Sequence, residues 1–220
     1  MSDDEQTYCV LLADIVRSRR RSDAAAVQAT LERVAGELGQ AFESELASAL
    51  TVTSGDELQA LLFRPTRAFD LAYELTDRLH PLRVRFGVGR GELTTPLRPS
   101  TGSLSGPAFY VARDAIDATR RAGRHIQFEG FGDRTETFSV VADCAIALVA
   151  GWTPAQRESV RAWLSAGSHQ AAADQLGRER STITRNLQRA LAPEVQRVRE
   201  LLRDLLDRYV PDTTPAGATW

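Results

Sequence analysis

Every strand-like segment in this chain lies within its first 131 residues, and from about Glu136 to Pro211 the pattern is helical throughout. A chain divided in this way folds as an α+β head followed by an all-α region. Within the head, Thr7 to Ala13 is a short, nearly continuous apolar run ending on Asp14, which reads as a buried central strand. Asp23 to Leu46 is Ala-rich and free of proline. Its Val27, Leu31, Val34, Leu38 and Phe42 recur at three- and four-residue spacing, the face of an amphipathic helix capped by Ser22 or Asp23. Leu50 to Ser54 and Glu57 to Phe63 flank Gly55-Asp56 as the arms of a hairpin.

A second helix, Thr66 to Leu79, stops at His80-Pro81, and Leu82 to Gly89 alternates as a strand. Residues 90–106 are a loop rich in Gly, Ser, Thr and Pro. Pro107 to Ala122 is a third helix opened by proline at its first turn, and His125 to Phe131 is the last strand. This order contains strand-helix-strand-strand-helix-strand, the ferredoxin-like arrangement. Four helical segments follow. The boundary falls near Gly130 to Arg134 or at Gly151. The expected division is a ferredoxin-fold domain over 1–133, a helical domain over 134–211 and a disordered tail over 212–220.

Composition limits the chemistry. The 220 residues are 43% hydrophobic, enough for a real core, and the net charge of -2 excludes a uniformly basic nucleic-acid coat. All 27 positive side chains are arginine, so no mechanism that needs a lysine is available, Schiff bases and a Walker-type phosphate lysine included. Cys9 and Cys144 sit in apolar runs without metal-ligand spacing and read as buried thiols. Met1 leads into acidic Ser2 to Glu5 rather than a signal peptide. The longest apolar run, Val140 to Ala150, is interrupted by Asp143 and is too short to span a bilayer. The expectation is a reduced, cytoplasmic protein with no membrane partner.

In the helical region, Ser168 to Gly177 followed by Arg178 to Leu191 has the pattern of a helix-turn-helix. Ala172 and Leu176 face inward and Ala173 is small where two helices cross. Gly177 permits the left-handed turn between them. The second helix starts at Ser181 or Thr182, with Ile183 and Leu187 toward the core. Glu179, Arg180, Ser181, Thr182, Thr184 and Arg185 are then placed at the end of a recognition helix that meets base edges in the major groove. Arg178 and Arg189 are better placed for phosphates. The alternative is a helical hairpin used only for protein contacts. Beyond Pro193, Val195, Val198, Leu201, Leu202, Leu205 and Leu206 form an apolar stripe, open either to packing on the preceding helices or to a homodimer. Paired half-sites on double-stranded DNA favour the dimer.

In a ferredoxin-like sheet Asp14, at the end of the first strand, and Asp56, at the hairpin tip, converge at one edge. Taken alone, either acid also serves as a helix or turn cap. If they act together, close carboxylates call for a cation between them. Mg²⁺ completed by triphosphate oxygens and the Ile15 carbonyl answers that need. Arg17, Arg19, Arg20 and Arg21 follow as phosphate ligands or as a solvated turn. Gly87, Gly89 and Gly91 leave one strand face flat, for a base or ribose or for a closely packed helix.

Several motifs now carry a resemblance. Asp14-Ile15-Val16-Arg17-Ser18-Arg19, Ser54-Gly55-Asp56-Glu57-Leu58-Gln59 and Arg85-Phe86-Gly87-Val88-Gly89-Arg90-Gly91-Glu92 resemble the SatD family. Gly106-Pro107-Ala108-Phe109, Ala112-Arg113-Asp114-Ala115 and Trp152-Thr153 add to it. Leu58 stands where the family usually has Phe, and Ser105 where an Asp commonly precedes Gly-Pro. More distantly, the head is similar to the palm-like domains of class III nucleotide cyclases and GGDEF diguanylate cyclases. That resemblance implies a nucleotide-binding palm with Mg²⁺ at Asp14, Ile15 and Asp56. The nucleotide would be contacted by Arg17, Ser18, Gly55, Glu57, Gly89, Arg90, Gly91 and Arg113. Against turnover, the base-selecting lysine is absent, and Phe109 and Tyr110 occupy the region of the cyclase asparagine. The expectation is a DNA-binding transcriptional regulator whose palm senses a nucleotide or nucleotide second messenger. The enzyme alternative is a metal-dependent nucleotidyl cyclase or nucleotide polymerase regulated by its helices, and an inert palm serving dimerisation is a third reading.

Overall fold

A computed structural model describes residues 6–16, 24–53, 57–98 and 101–209. Five strands, β1 (Tyr8–Ile15), β2 (Leu46–Val52), β3 (Glu57–Leu62), β4 (Val84–Gly91) and β5 (Ile126–Glu129), form one mixed sheet in the order β2-β3-β1-β4-β5. β1 is central and antiparallel to both β3 and β4, and β5 joins parallel to β4. The first four strands with helices α1 (Ala24–Ala41) and α2 (Ala68–Arg78) reproduce the ferredoxin-like order expected from the sequence. A third helix, α3 (Pro107–Ala122), crosses back to β5.

Alternation along β1 divides the core. Cys9, Leu11, Ala13 and Ile15 pack with α1, α2 and the next helix, α4 (Thr135–Ala150). Val10 and Leu12 pack with Ala108, Ala112 and Ile116 of α3. The α3 contact is unusually close. A Cβ at Gly87 or Gly89 would lie 2.4 or 2.2 Å from backbone nitrogens of Ile116 and Ala112. Helix packing therefore accounts for these glycines, and Gly91 likewise faces the first turn of α3.

After α4 come α5 (Pro154–Ala166), α6 (His169–Leu176), α7 (Arg180–Arg189) and α8 (Ala192–Tyr209). The region therefore holds five α-helices, not the four read from the sequence. Thr153 forms a reciprocal capping box with Gln156, and Ser168 caps a separate α6 through the Ala171 amide. Another boundary and the exposure of one cysteine also differ. α1 ends at Ala41 rather than Leu46, because Leu46 pairs with Leu62 as the first residue of β2 and sheet pairing overrides helical periodicity. Cys144 is exposed on α4, whereas Cys9 is fully buried and burial pushes its thiol up to about 12. Asp143, the polar interruption in α4, accepts hydrogen bonds from the His125 and Ile126 amides at 2.6 and 3.2 Å, stitching α4 to the start of β5.

The helices after α4 are held to the head through α2. Asp77 binds Arg157 at 2.9 Å and also Arg161, both from α5. Seven residues earlier on the same face, Asp70 binds Arg199 at 2.9 Å and Arg203, both from α8. Arg67 also lies 2.8 Å from Asp70, off hydrogen-bonding geometry. Arg157 further donates to the Val149 carbonyl at 2.7 Å, and Arg199 lies over the Tyr73 ring at 3.9 Å. One apolar core runs on from the sheet into these helices. Among the described residues no single helix is long and apolar enough to cross a membrane.

Candidate functional site

The strand register builds a row of charge at one end of the sheet. Glu57 of β3, Asp14 of β1 and Arg85 of β4 are direct neighbours across three strands. Asp14 follows Val10 and Leu12 on the α3 side, and paired residues share a face. From α3, Arg113 grips Glu57 with both guanidinium branches, one of them at 2.8 Å. One heptad on, Arg120 reaches Asp14 at 3.2 Å and Asp117 at 3.0 Å. Arg85 stands 4.0 Å from Asp14. The hydrogen bonds that Arg113 donates to the Glu57 carboxylate raise its pKa and fix its charge.

Of the expected nucleotide and metal residues, Asp14, Ile15, Glu57 and Arg113 meet here, although the Ile15 side chain is buried in the core on the other face. Asp56, Gly55, Arg17, Ser18 and the neighbouring Arg19 to Arg21 lie outside the described residues, as does the tail 212–220. Gly89, Arg90 and Gly91 do not join the site. β4 runs antiparallel to β1, so Arg90 sits opposite Cys9, five residues and about 17 Å of strand from Asp14. Arg90 turns instead to the Thr7 hydroxyl at 3.0 Å. Gly89 has α3 backbone against its Cα, which leaves no room there for a base or ribose.

Arg85 and Arg120 were missed from sequence. Register with Asp14 identifies the first, and the seven-residue step from Arg113 the second. Phe109, in the asparagine region, packs on the α3-side core, while Tyr110 is exposed with its hydroxyl 3.2 Å from that of Ser105. Asp14 and Glu57 each have an arginine counterion, and no group of three metal-ligating side chains occurs among the described residues, which do not include Asp56. What the cluster supplies is a set of half-exposed arginines held by largely buried acids, chemistry suited to exchanging a carboxylate for a phosphate.

The second site is on the helices. α5, α6 and α7 pack around Val160, Ala162, Ala172, Ala173, Ile183 and Leu187. Gly177 makes the turn between α6 and α7 at φ 60°, a conformation a side chain would strain. The Trp152 indole donates to the Ala190 carbonyl at 2.7 Å and closes the unit. α7 begins at Arg180, one residue earlier than expected, with Glu179 preceding it and no side-chain cap. Its exposed N-terminal amides are therefore open to an anion.

Glu179, Arg180, Ser181, Arg185 and Arg189 are exposed, and Thr182 and Thr184 partly so. Arg180, Arg185 and Arg189 have no ion-pair partner among the described residues. Two of the expected contacts are otherwise engaged. Arg178 pairs with Glu158 at 2.6 Å, and the Thr184 hydroxyl lies 3.0 Å from His169 Nδ1.

No curated protein matches this chain. Among solved structures, a bacterial light-regulated adenylyl cyclase is similar at 16% identity over 56% of this chain and 74% of that one, with a TM-score of 0.43. The catalytic core of a rhodopsin-guanylyl cyclase with converted specificity, in complex with ATPαS, is similar at 17% identity over 51% and 72%, with a TM-score of 0.38. The Regulator of Polyketide Synthase Expression from Bifidobacterium adolescentis is similar at 15% identity over 91% and 86%, with a TM-score of 0.26. The sequence profile of the SatD family matches residues 8–190, from the first strand through the helix-turn-helix, and the chain belongs to that family.

Proposed function

We propose that this protein is a DNA-binding transcriptional regulator that reads double-stranded DNA through α7, with its cyclase-like head as the sensing half. The observation that carries this reading is the outward face of α7. Three arginines without an ion-pair partner among the described residues and an uncapped helix N-terminus stand together on a three-helix unit that packs through the opposite face. With a net charge of -2, such a local concentration is the electrostatic footprint DNA requires. Arg180 and Ser181 enter the major groove, Arg185 reads a base edge and Arg189 takes a phosphate. Two copies, arranged about a dyad, address two half-sites.

In the head, the ligand is a nucleotide or nucleotide second messenger whose phosphates draw Arg113 and Arg120 away from Glu57 and Asp14. Binding favours one setting of α3 and so biases DNA affinity. The cyclase alternative receives no support from the described residues, since Glu57 is clamped and Phe109 is a packing residue.

Binding to the protein's own promoter, measured by fluorescence anisotropy over a salt series, tests the DNA half. Arg180→Ala with Arg185→Ala should weaken binding at least about tenfold and reduce the salt slope by roughly 2. Unchanged affinity would remove α7 from the interface. For the sensing half, saturating nucleotides should shift DNA affinity. No shift across a broad panel ends that half of the reading, and a cyclic or linked product abolished by Asp14→Asn replaces it with an enzyme.

A further inference from the structure

The fold divides the apolar stripe of α8. Val195, Leu202 and Leu206 are buried in the core, Val198 and Leu205 are partly buried against it, and Leu201 is left 49% exposed. α4 runs antiparallel beside this stripe. The Trp152 indole, just past the end of α4, donates to Ala190 before α8, while Arg134, Thr137 and Phe138 around the start of α4 line one cavity with Leu205 and Arg208 near the end of α8. On α4, Val140, Cys144 and Leu148 follow at four-residue steps and are all exposed, Val140 at 43% and Leu148 at 41%. Between Val140 and Gly151 the one charged side chain is Asp143, which is turned to the His125 and Ile126 amides. Two neighbouring helices thus present an apolar face that nothing among the described residues covers.

The charges on α8 identify what covers it. Glu194, Leu201 and Arg208 recur at a seven-residue step, on one stripe of the helix and about 10.5 Å apart along its axis. Arg197 and Asp204 flank Leu201, four residues before it and three after. All four charged side chains are exposed, and none has an ion-pair partner among the described residues. A half-turn about Leu201 brings that leucine onto its own copy, Glu194 opposite Arg208 and Arg197 beside Asp204. A parallel copy would instead set like charges together. The pattern is therefore self-complementary in one direction only, as an isologous dimer requires.

The size of the face agrees. With 16 and 18 residues, α4 and α8 are about 24 and 27 Å long, and a face two helices wide covers roughly 480 Å². Two copies then bury about 1,000 Å² together, the size at which a specific interface begins. From these features we infer that the chain forms a homodimer in which α4 and α8 of two copies pack antiparallel about a dyad at Leu201, as a four-helix bundle. The dimer stands without the DNA reading, to which it adds the dyad that paired half-sites need, and it is tested without DNA.

Sedimentation equilibrium of the full chain measures the dissociation constant of the dimer. The wild-type protein should be dimeric at micromolar concentration. Leu201→Glu sets a carboxylate against its own copy and should weaken association at least about a hundredfold, with helix content by circular dichroism unchanged. Glu194→Arg and Arg208→Glu should each weaken it about tenfold, and both together in one chain should restore it to within about threefold of wild type. The double variant opposes the α8 macrodipole at both ends, so its recovery cannot come from a steadier helix. The inference is overturned by a wild-type monomer, by a dimer that survives Leu201→Glu, or by a double variant that associates no better than its single reversals.

Discussion

At the open end of the sheet, Arg113 and Arg120 are about half exposed over Glu57 and Asp14. On α2, by contrast, the side chains of Asp77 and Asp70 are 6% and 1% exposed, and their partners Arg157 and Arg199 are 3% and 9% exposed. Both regions use arginine against carboxylate, yet their physical consequences differ. In the first, the arginines are half in water although Glu57 and Asp14 are only 14% and 16% exposed, so the pairs contribute little to stability and the arginines can turn to a competing anion. In the second, neither charge has water to return to, so the pair either stays intact or leaves an uncompensated charge in the core. The exposed network is suited to responding, and the buried one to fixing the helix-turn-helix on the head.

The largest effect should come from cutting the buried network where it is deepest. Asp77→Ala strands Arg157 and should lower unfolding free energy by about 3–5 kcal/mol in urea denaturation. Asp70→Ala should cost somewhat less, about 3 kcal/mol, because Arg199 keeps the Tyr73 ring and is slightly more exposed. Either loss falling below about 1 kcal/mol would erase the contrast.

How much of this was legible in sequence depended on the range of the interaction. The helix-turn-helix could be read because Ala172, Gly177, Ile183 and Leu187 act within twenty residues, through helical spacing and one left-handed turn. The sheet order followed from the alternation of strand and helix patterns. Asp14 and Glu57 were legible because strand ends and hairpin arms mark themselves. Gly89 and Arg90 were misplaced because the sequence does not show that an antiparallel β4 carries its later residues toward the start of β1. The α2 network was invisible. Asp77 meets Arg157 across 80 positions, and an arginine on an amphipathic helix looks solvated until a partner covers it.

At the exposed network the same cuts should be mild. Arg113→Ala removes a two-pronged bond and should cost about 1 kcal/mol, and Arg120→Ala less than that. High salt should shrink both values, since screening reaches half-exposed pairs, while the Asp77→Ala loss persists. A cost at Arg113 equal to that at Asp77 would mean the sheet-end pairs are structural rather than exchangeable.

The smallest effect offers the most direct reading of the buried charges. His80 lies beside them, and burial foremost, then the positive charge of Arg157, lowers its pKa below the ordinary 6.5, with Arg161 adding to the shift and Asp77 opposing it. The folded state therefore binds the His80 proton less readily than the unfolded state does. Stability from this group is intact above the unfolded pKa and declines as pH falls from about 6.5 through the lower folded value. Proton NMR can follow His80 among the three histidines of the chain. Arg161→Ala removes one of the positive charges but leaves the Asp77–Arg157 pair, so the His80 pKa should rise toward 6.5 without loss of the fold. If His80 titrates at or above 6.5 in the wild-type protein, or does not respond to Arg161→Ala, the charges on α2 and α5 are screened by water. Their arginines would then belong with the exposed class.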